Sequence, residues 1–209
     1  ALIILWGGAL LLAVFLVPAA LRTTGFLLAI AAFYNFGSAR VRTALGPTLL
    51  AVARTTSLLF VPTVVFGLNG ALERTGLGPA AAYFLYWMFL ARLARHEERS
   101  TAGPFGFTLV LLTALVPVAV IAHAPTPLLA AAAWLAFCAL LIVPAWPHAR
   151  SRVWPPSWVQ ACVRRALGLA PLVPAIALLA QPGDLHPVWA LGGAATALVV
   201  RALARVLPP

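Results

Sequence analysis

Pro127-Leu128-Leu129-Ala130-Ala131-Ala132-Ala133-Trp134-Leu135-Ala136-Phe137-Cys138-Ala139-Leu140-Leu141-Ile142-Val143-Pro144-Ala145 contains no charged residue and no alternation of apolar with polar positions. A run of this length matches the roughly 20 apolar residues that carry a helix across a hydrocarbon core. Comparable runs occupy 1–19, 25–39, 48–69, 79–94, 105–122, 161–180 and 188–205. Without period-2 patterning they read as helices and not as barrel strands, because only those two structures satisfy their backbone in lipid. Composition agrees. The chain is 63% apolar and 9% charged with a mean hydropathy of +1.02, whereas soluble domains carry about a quarter charged residues. The expected fold is therefore an all-α integral membrane protein. It would be a bundle of about eight spans forming a single domain over 1–209, located in the cell membrane among lipid.

Breaks between the runs carry glycine and proline, which stop and start helices. They are Gly46-Pro47, Gly76-Leu77-Gly78-Pro79, Gly103-Pro104, Ala124-Pro125-Thr126-Pro127, Pro155-Pro156 and Pro182-Gly183-Asp184. The net charge is +10, and every basic residue is arginine apart from the four histidines. In a soluble protein such a balance would point to nucleic acid. Here eleven arginines fall in even-numbered loops and at the C-terminal end, two fall in odd-numbered loops, and Arg54 lies inside a run. The positive-inside rule places the even loops and both ends of the chain in the cytoplasm and removes any need for a nucleic-acid partner. Trp146, Trp154 and Trp158 flank the long sixth loop and read as anchors at headgroup level. The opening Ala1-Leu2-Ile3-Ile4-Leu5 has no basic n-region and precedes no small-residue cleavage site. It is thus a poor signal peptide, and further residues are expected upstream.

Candidates for chemistry are few. The acidic residues are Glu73, Glu97, Glu98 and Asp184, too few for a carboxylate-rich metal site. Cys138 and Cys162 lack metal-ligand spacing and read as small apolar residues. The four histidines lie in or near loops and read as solvated. Two cytoplasmic stretches concentrate what remains. One runs from Tyr34-Asn35 through Arg40 and Arg42 to Gly46-Pro47 and Arg54; the other ends in Arg92, Arg95-His96-Glu97-Glu98-Arg99. Arg54 either snorkels to the headgroups or faces a polar cavity, since a charge in lipid is costly. If it faces a cavity, Arg40, Arg42, Arg54, Arg92, Arg95 and Arg99 can gather on one anionic group through bidentate guanidinium contacts. The other reading leaves them as topogenic arginines.

The order of these pieces resembles the UbiA superfamily of membrane prenyltransferases, especially the divergent branch encoded in ebo gene clusters. The resemblance rests on Tyr34-Asn35 through Leu45-Gly46-Pro47 with Arg54 following, on the tyrosine-bearing run ending in Arg95-His96-Glu97, and on Pro156 to Val163-Arg164-Arg165. It covers most of the chain. It implies a helical bundle whose cavity opens to the cytoplasm and transfers an isoprenyl group from a prenyl diphosphate to an acceptor. Arg40, Arg42, Arg54 and Arg95 would bind the diphosphate, Tyr34 and Asn35 would line the cavity, and Glu97 or Glu98 would hold Mg²⁺. Departures from the pattern are clear. The first Asp-rich motif of the family would precede Ala1, and the fourth loop offers only Glu97 and Glu98, which can equally pair with Arg95 or Arg99. Asn35 stands where the divergent branch has aspartate, and Pro174 falls near another such position. The alternative is a bundle that binds or helps transport a lipid or isoprenoid without catalysis.

Overall fold

In the computed structural model, residues 21–36, 38–75, 77–98, 100–116 and 128–180 are described, together with residue 195. The expected runs 1–19 and 188–205, with His123, Asp184 and His186, lie outside them. Secondary structure among the described residues is helical apart from one pair of two-residue strands. The helices are α1 (Leu21–Phe36), α2 (Ala39–Thr75), α3 (Leu77–Ala94), α4 (Gly103–Leu115), α5 (Leu128–Ile142), α6 (Pro156–Leu169) and α7 (Leu172–Leu179). A short 3₁₀ turn occupies Trp146–His148, and β1 (Thr101–Ala102) pairs antiparallel with β2 (Val153–Trp154). The all-α expectation thus holds. Among the described residues, α3 alone is long and apolar enough to cross a membrane, while Thr23–Tyr34, α4 and α5 are apolar but shorter. The eight full-length spans expected from the sequence are not drawn by these residues.

The chain divides into two compact units, Ala1–Ala80 and Ala81–Pro209. In the first, α1 packs on α2. The break between them falls at residues 37–38, and α2 runs unbroken through Gly46-Pro47, where the sequence predicts a loop. Pro47 removes one i→i−4 bond. Packing against α1 offsets that loss: Gly46 and Pro47 are both buried, and a Cβ on Gly46 would lie 3.5 Å from the Tyr34 ring. Further along α2, three successive hydroxyls close on their own helix. Thr55 donates to Ala51 O at 2.9 Å, Thr56 to Val52 O at 2.8 Å and Ser57 to Ala53 O at 2.8 Å. Such back-bonding leaves no hydroxyl proton asking for water.

The second unit is built around α5, which packs on α4, α6 and α7. Its core residues include Phe137 of α5, Leu90 and Leu93 of α3, Val159 and Val163 of α6 and Val173 of α7. The single run expected over 161–180 is interrupted. Pro171 has no N–H to continue α6, so Ala170 N–H closes a tighter turn on Leu167 O at 3.3 Å and α7 begins at Leu172.

Trp154 also departs from expectation. It is 1% exposed, not at a surface, and its indole Nε1–H donates to His148 O at 2.8 Å. Strand pairing draws it in, with Thr101 opposite Trp154 and Ala102 opposite Val153. Two glycines of α4 make the room. A Cβ on Gly106 would meet Trp154 Cε3 at 2.9 Å, and one on Gly103 would overlap the Ser151 backbone oxygen. Trp146, at 66% exposed, remains at the surface. Gly103→Ala should therefore lower the melting temperature of the detergent-solubilised protein by several degrees. Gly25→Ala, with nothing within 4 Å of the added carbon, should stabilise by about 0.5–1 kcal/mol, as expected for alanine replacing glycine in a helix. Thermal unfolding followed by circular dichroism checks both.

Candidate functional site

The residues expected to form a site fall into two groups, one in each unit. In the first unit, Tyr34 stands near the end of α1, 43% exposed, with its ring edge turned to Gly46. Asn35 is one residue further along α1, and Arg40 and Arg42 occupy the first turn of α2. The expected loop position of both arginines is corrected: the helix begins at Ala39, ahead of them. Arg40 and Arg54 are both exposed. They lie 14 positions apart on one continuous helix, which is about 21 Å along the axis and within about 40° of the same face. The loop reading had placed Arg54 two turns into a new helix beside Arg40 and Arg42. The unbroken helix instead keeps Arg40 and Arg54 far apart on a similar face, with Arg42 rotated away from both.

In the second unit, Arg95, Glu97 and Glu98 sit in the turn that follows α3. Arg95 and Glu98 are exposed and Glu97 is half-buried. The turn is anchored from two sides. Gln160 Nε2 of α6 donates to Glu97 O at 3.2 Å, and the His96 ring meets Phe105 edge-on at 5.5 Å. Among the described residues no group of three or more His, Cys, Asp or Glu side chains gathers. The donor set is the adjacent pair Glu97 and Glu98. Two carboxylates suit a single Mg²⁺ that keeps its waters and takes substrate phosphate oxygens. They do not supply a second ion.

Two features of this unit gain a role that their place in the sequence does not show. The first is Tyr86, fully buried in α3. Its hydroxyl donates to the Ala166 carbonyl of α6, and its ring lies 6.0 Å from Phe137 of α5 and 6.1 Å from Trp87. One side chain therefore ties three helices. The second is a cleft between α6 and the segment leading to β2, lined by His148, Trp154, Trp158, Cys162 and Arg165 among others. The signal for it is the spacing of Trp158, Cys162 and Arg165, at i, i+4 and i+7, which puts them on one face of α6.

Comparison with family models, curated proteins and solved structures returns no match.

Tyr86→Phe removes the donor while keeping the ring, leaving the Ala166 carbonyl without it in an apolar interior. The expected loss is about 1–3 kcal/mol of stability. Denaturant unfolding in micelles measures it, and an unchanged midpoint would show that the carbonyl finds another donor.

Proposed function

We propose that the chain is a multi-pass membrane protein of UbiA-like architecture that handles a prenyl diphosphate at its cytoplasmic face, with both ends of the chain on that side. The supporting observation is the course of α2. Between Arg54 and Glu73, residues 55–72 carry no charge. As helix, these 18 residues extend about 27 Å, close in length to a hydrocarbon thickness of roughly 30 Å, and would add a span to α3, the helix that fits by both length and composition. The span thus begins after Arg54, not at residue 48. Arg54 marks the cytoplasmic boundary and Glu73 with Arg74 the outer one. The part of α2 from Ala39 to Arg54 then lies on the cytoplasmic side, and its arginines meet phosphate at headgroup level. Hydroxyls of Thr55, Thr56 and Ser57 need no external partner there. Thr108 and Thr113 of α4 close on Pro104 O and Leu109 O in the same way.

Arg40 and Arg54, about 21 Å apart along α2, do not meet on one diphosphate, so Arg54 at the proposed boundary would hold the anionic head of a long-tailed substrate through its guanidinium fork. Taken by itself, the second unit offers Arg95 for a phosphate and Glu97 or Glu98 for an accompanying Mg²⁺. When bound, that ion supplies Lewis-acid charge neutralisation to the leaving diphosphate. In the transfer, the bond between the prenyl C1 and the diphosphate oxygen breaks, the electron pair leaves with diphosphate, and the acceptor bonds to C1 and gives up a proton. The arginines stabilise the charge that develops on the leaving oxygen.

A second reading, isoprenoid binding without transfer, is favoured by the sparse donor set of Glu97 and Glu98. The two readings separate in one assay with the purified protein, Mg²⁺ and a labelled prenyl diphosphate. Diphosphate release supports transfer, binding without release supports the second reading, and absence of both overturns them together. Arg54→Ala should weaken prenyl-diphosphate binding about tenfold, while Arg201→Ala should leave it within twofold. Protease-sensitive tags on both ends of this chain should be cut only from the cytoplasmic side, and protection of either one contradicts the topology.

A further inference from the structure

Helix α6 presents two working faces. Val159, Val163, Ala166 and Leu169 are buried in the core of the second unit. Rotated from them, Trp158, Cys162 and Arg165 line a cleft of about 190 Å³ whose opposite wall carries His148 and the buried Trp154. Among the described residues its lining contains one guanidinium and no carboxylate. Arg165 is half-buried and also borders a water-sized void deeper in the unit, beside Leu93 and Thr113. Neighbouring Arg164, about 100° away around the helix, is exposed. Beside Arg165, the described lining residues include the aromatic rings of His148, Trp154 and Trp158. Trp154 is fixed by its bond to His148 O and by the glycine surface of α4. Ala161, exposed, forms the rim and leaves an entrance.

We propose that this cleft is a phosphate-binding site, with Arg165 as the bidentate donor and Trp158, Trp154 and His148 as walls that exclude water from the bound group. The volume equals roughly six water molecules, enough for a phosphate monoester with a short organic stub. The ligand is either the headgroup of an anionic lipid or a soluble phosphate. The site is separate from the prenyl-diphosphate reading, and its test uses no prenyl compound.

The test is isothermal titration of the full chain in a non-ionic detergent with short-chain phosphatidic acid and, separately, with inorganic phosphate. At least one probe should bind saturably. Arg165→Ala should raise that Kd about tenfold, and Arg164→Ala, which removes the same charge one residue away, should leave it within twofold. Saturation by phosphatidic acid alone assigns a lipid headgroup, and saturation by inorganic phosphate assigns a soluble anion. Arg165→Lys, which keeps the charge but loses the fork, and Trp158→Phe, which keeps an apolar wall, should each weaken binding several-fold. They decide the matter should Arg165→Ala not fold. Equal weakening by Arg164→Ala and Arg165→Ala, unchanged binding in both the Lys and Phe variants, or no saturable binding of either probe would overturn the site.

Discussion

A carbonyl at the end of α6 is the constraint around which the second unit is arranged. Pro171 cannot donate to a preceding turn, and Ala170 N–H closes on Leu167, so the Ala166 carbonyl takes its proton from a hydroxyl 80 positions earlier in the chain. In an interior with so little polar material, that donor is worth more than its own bond, because an unpaired carbonyl there costs its full desolvation. Tyr86 brings α3 to α6, and its ring rests on Phe137 of α5. The other helices then pack on α5 with small and apolar faces. Cys138 takes part in the same way, its thiol donating to the Ala114 carbonyl of α4 at 3.3 Å.

Much of this architecture is legible in the sequence, and the exceptions have physical causes. Apolar runs and glycine–proline breaks place α3, α5 and the start of α4 within three residues of where they lie, while α4 ends at Leu115, short of the expected 122. Gly46-Pro47 misleads because a local breaker is overridden by packing against α1: both residues are buried and the helix continues. Pro171 is a proline from which a kink is expected, and its absent N–H turns that kink into a full break between α6 and α7. Trp154 reads as a membrane anchor from its neighbours in the chain. Only the pairing of β1 with β2, two residues each, carries it beneath Gly103 and Gly106. Strands that short leave no periodic trace. Charged candidates were visible as residue types, but their grouping was not, because the unbroken course of α2 decides how far apart Arg40 and Arg54 stand.

Functionally, the two units carry different kinds of basic surface. Along α2, Arg40 and Arg54 are exposed on a long helix and suit a diffuse anionic surface or a long-tailed phosphate. On α6 one arginine is drawn into an aromatic cleft and suits a single, enclosed group. A prenyl-diphosphate enzyme, a non-catalytic isoprenoid binder and a phosphate-headgroup site all require the same underlying property, that the apolar helices live in lipid with their arginines at the cytoplasmic boundary.

That property is tested most directly by washing membranes from cells expressing the chain with alkaline carbonate and following the protein between pellet and supernatant. An integral helical bundle stays in the pellet and leaves it only with detergent. Release into the carbonate supernatant would contradict the membrane assignment and, with it, the placement of Arg54 at a headgroup boundary.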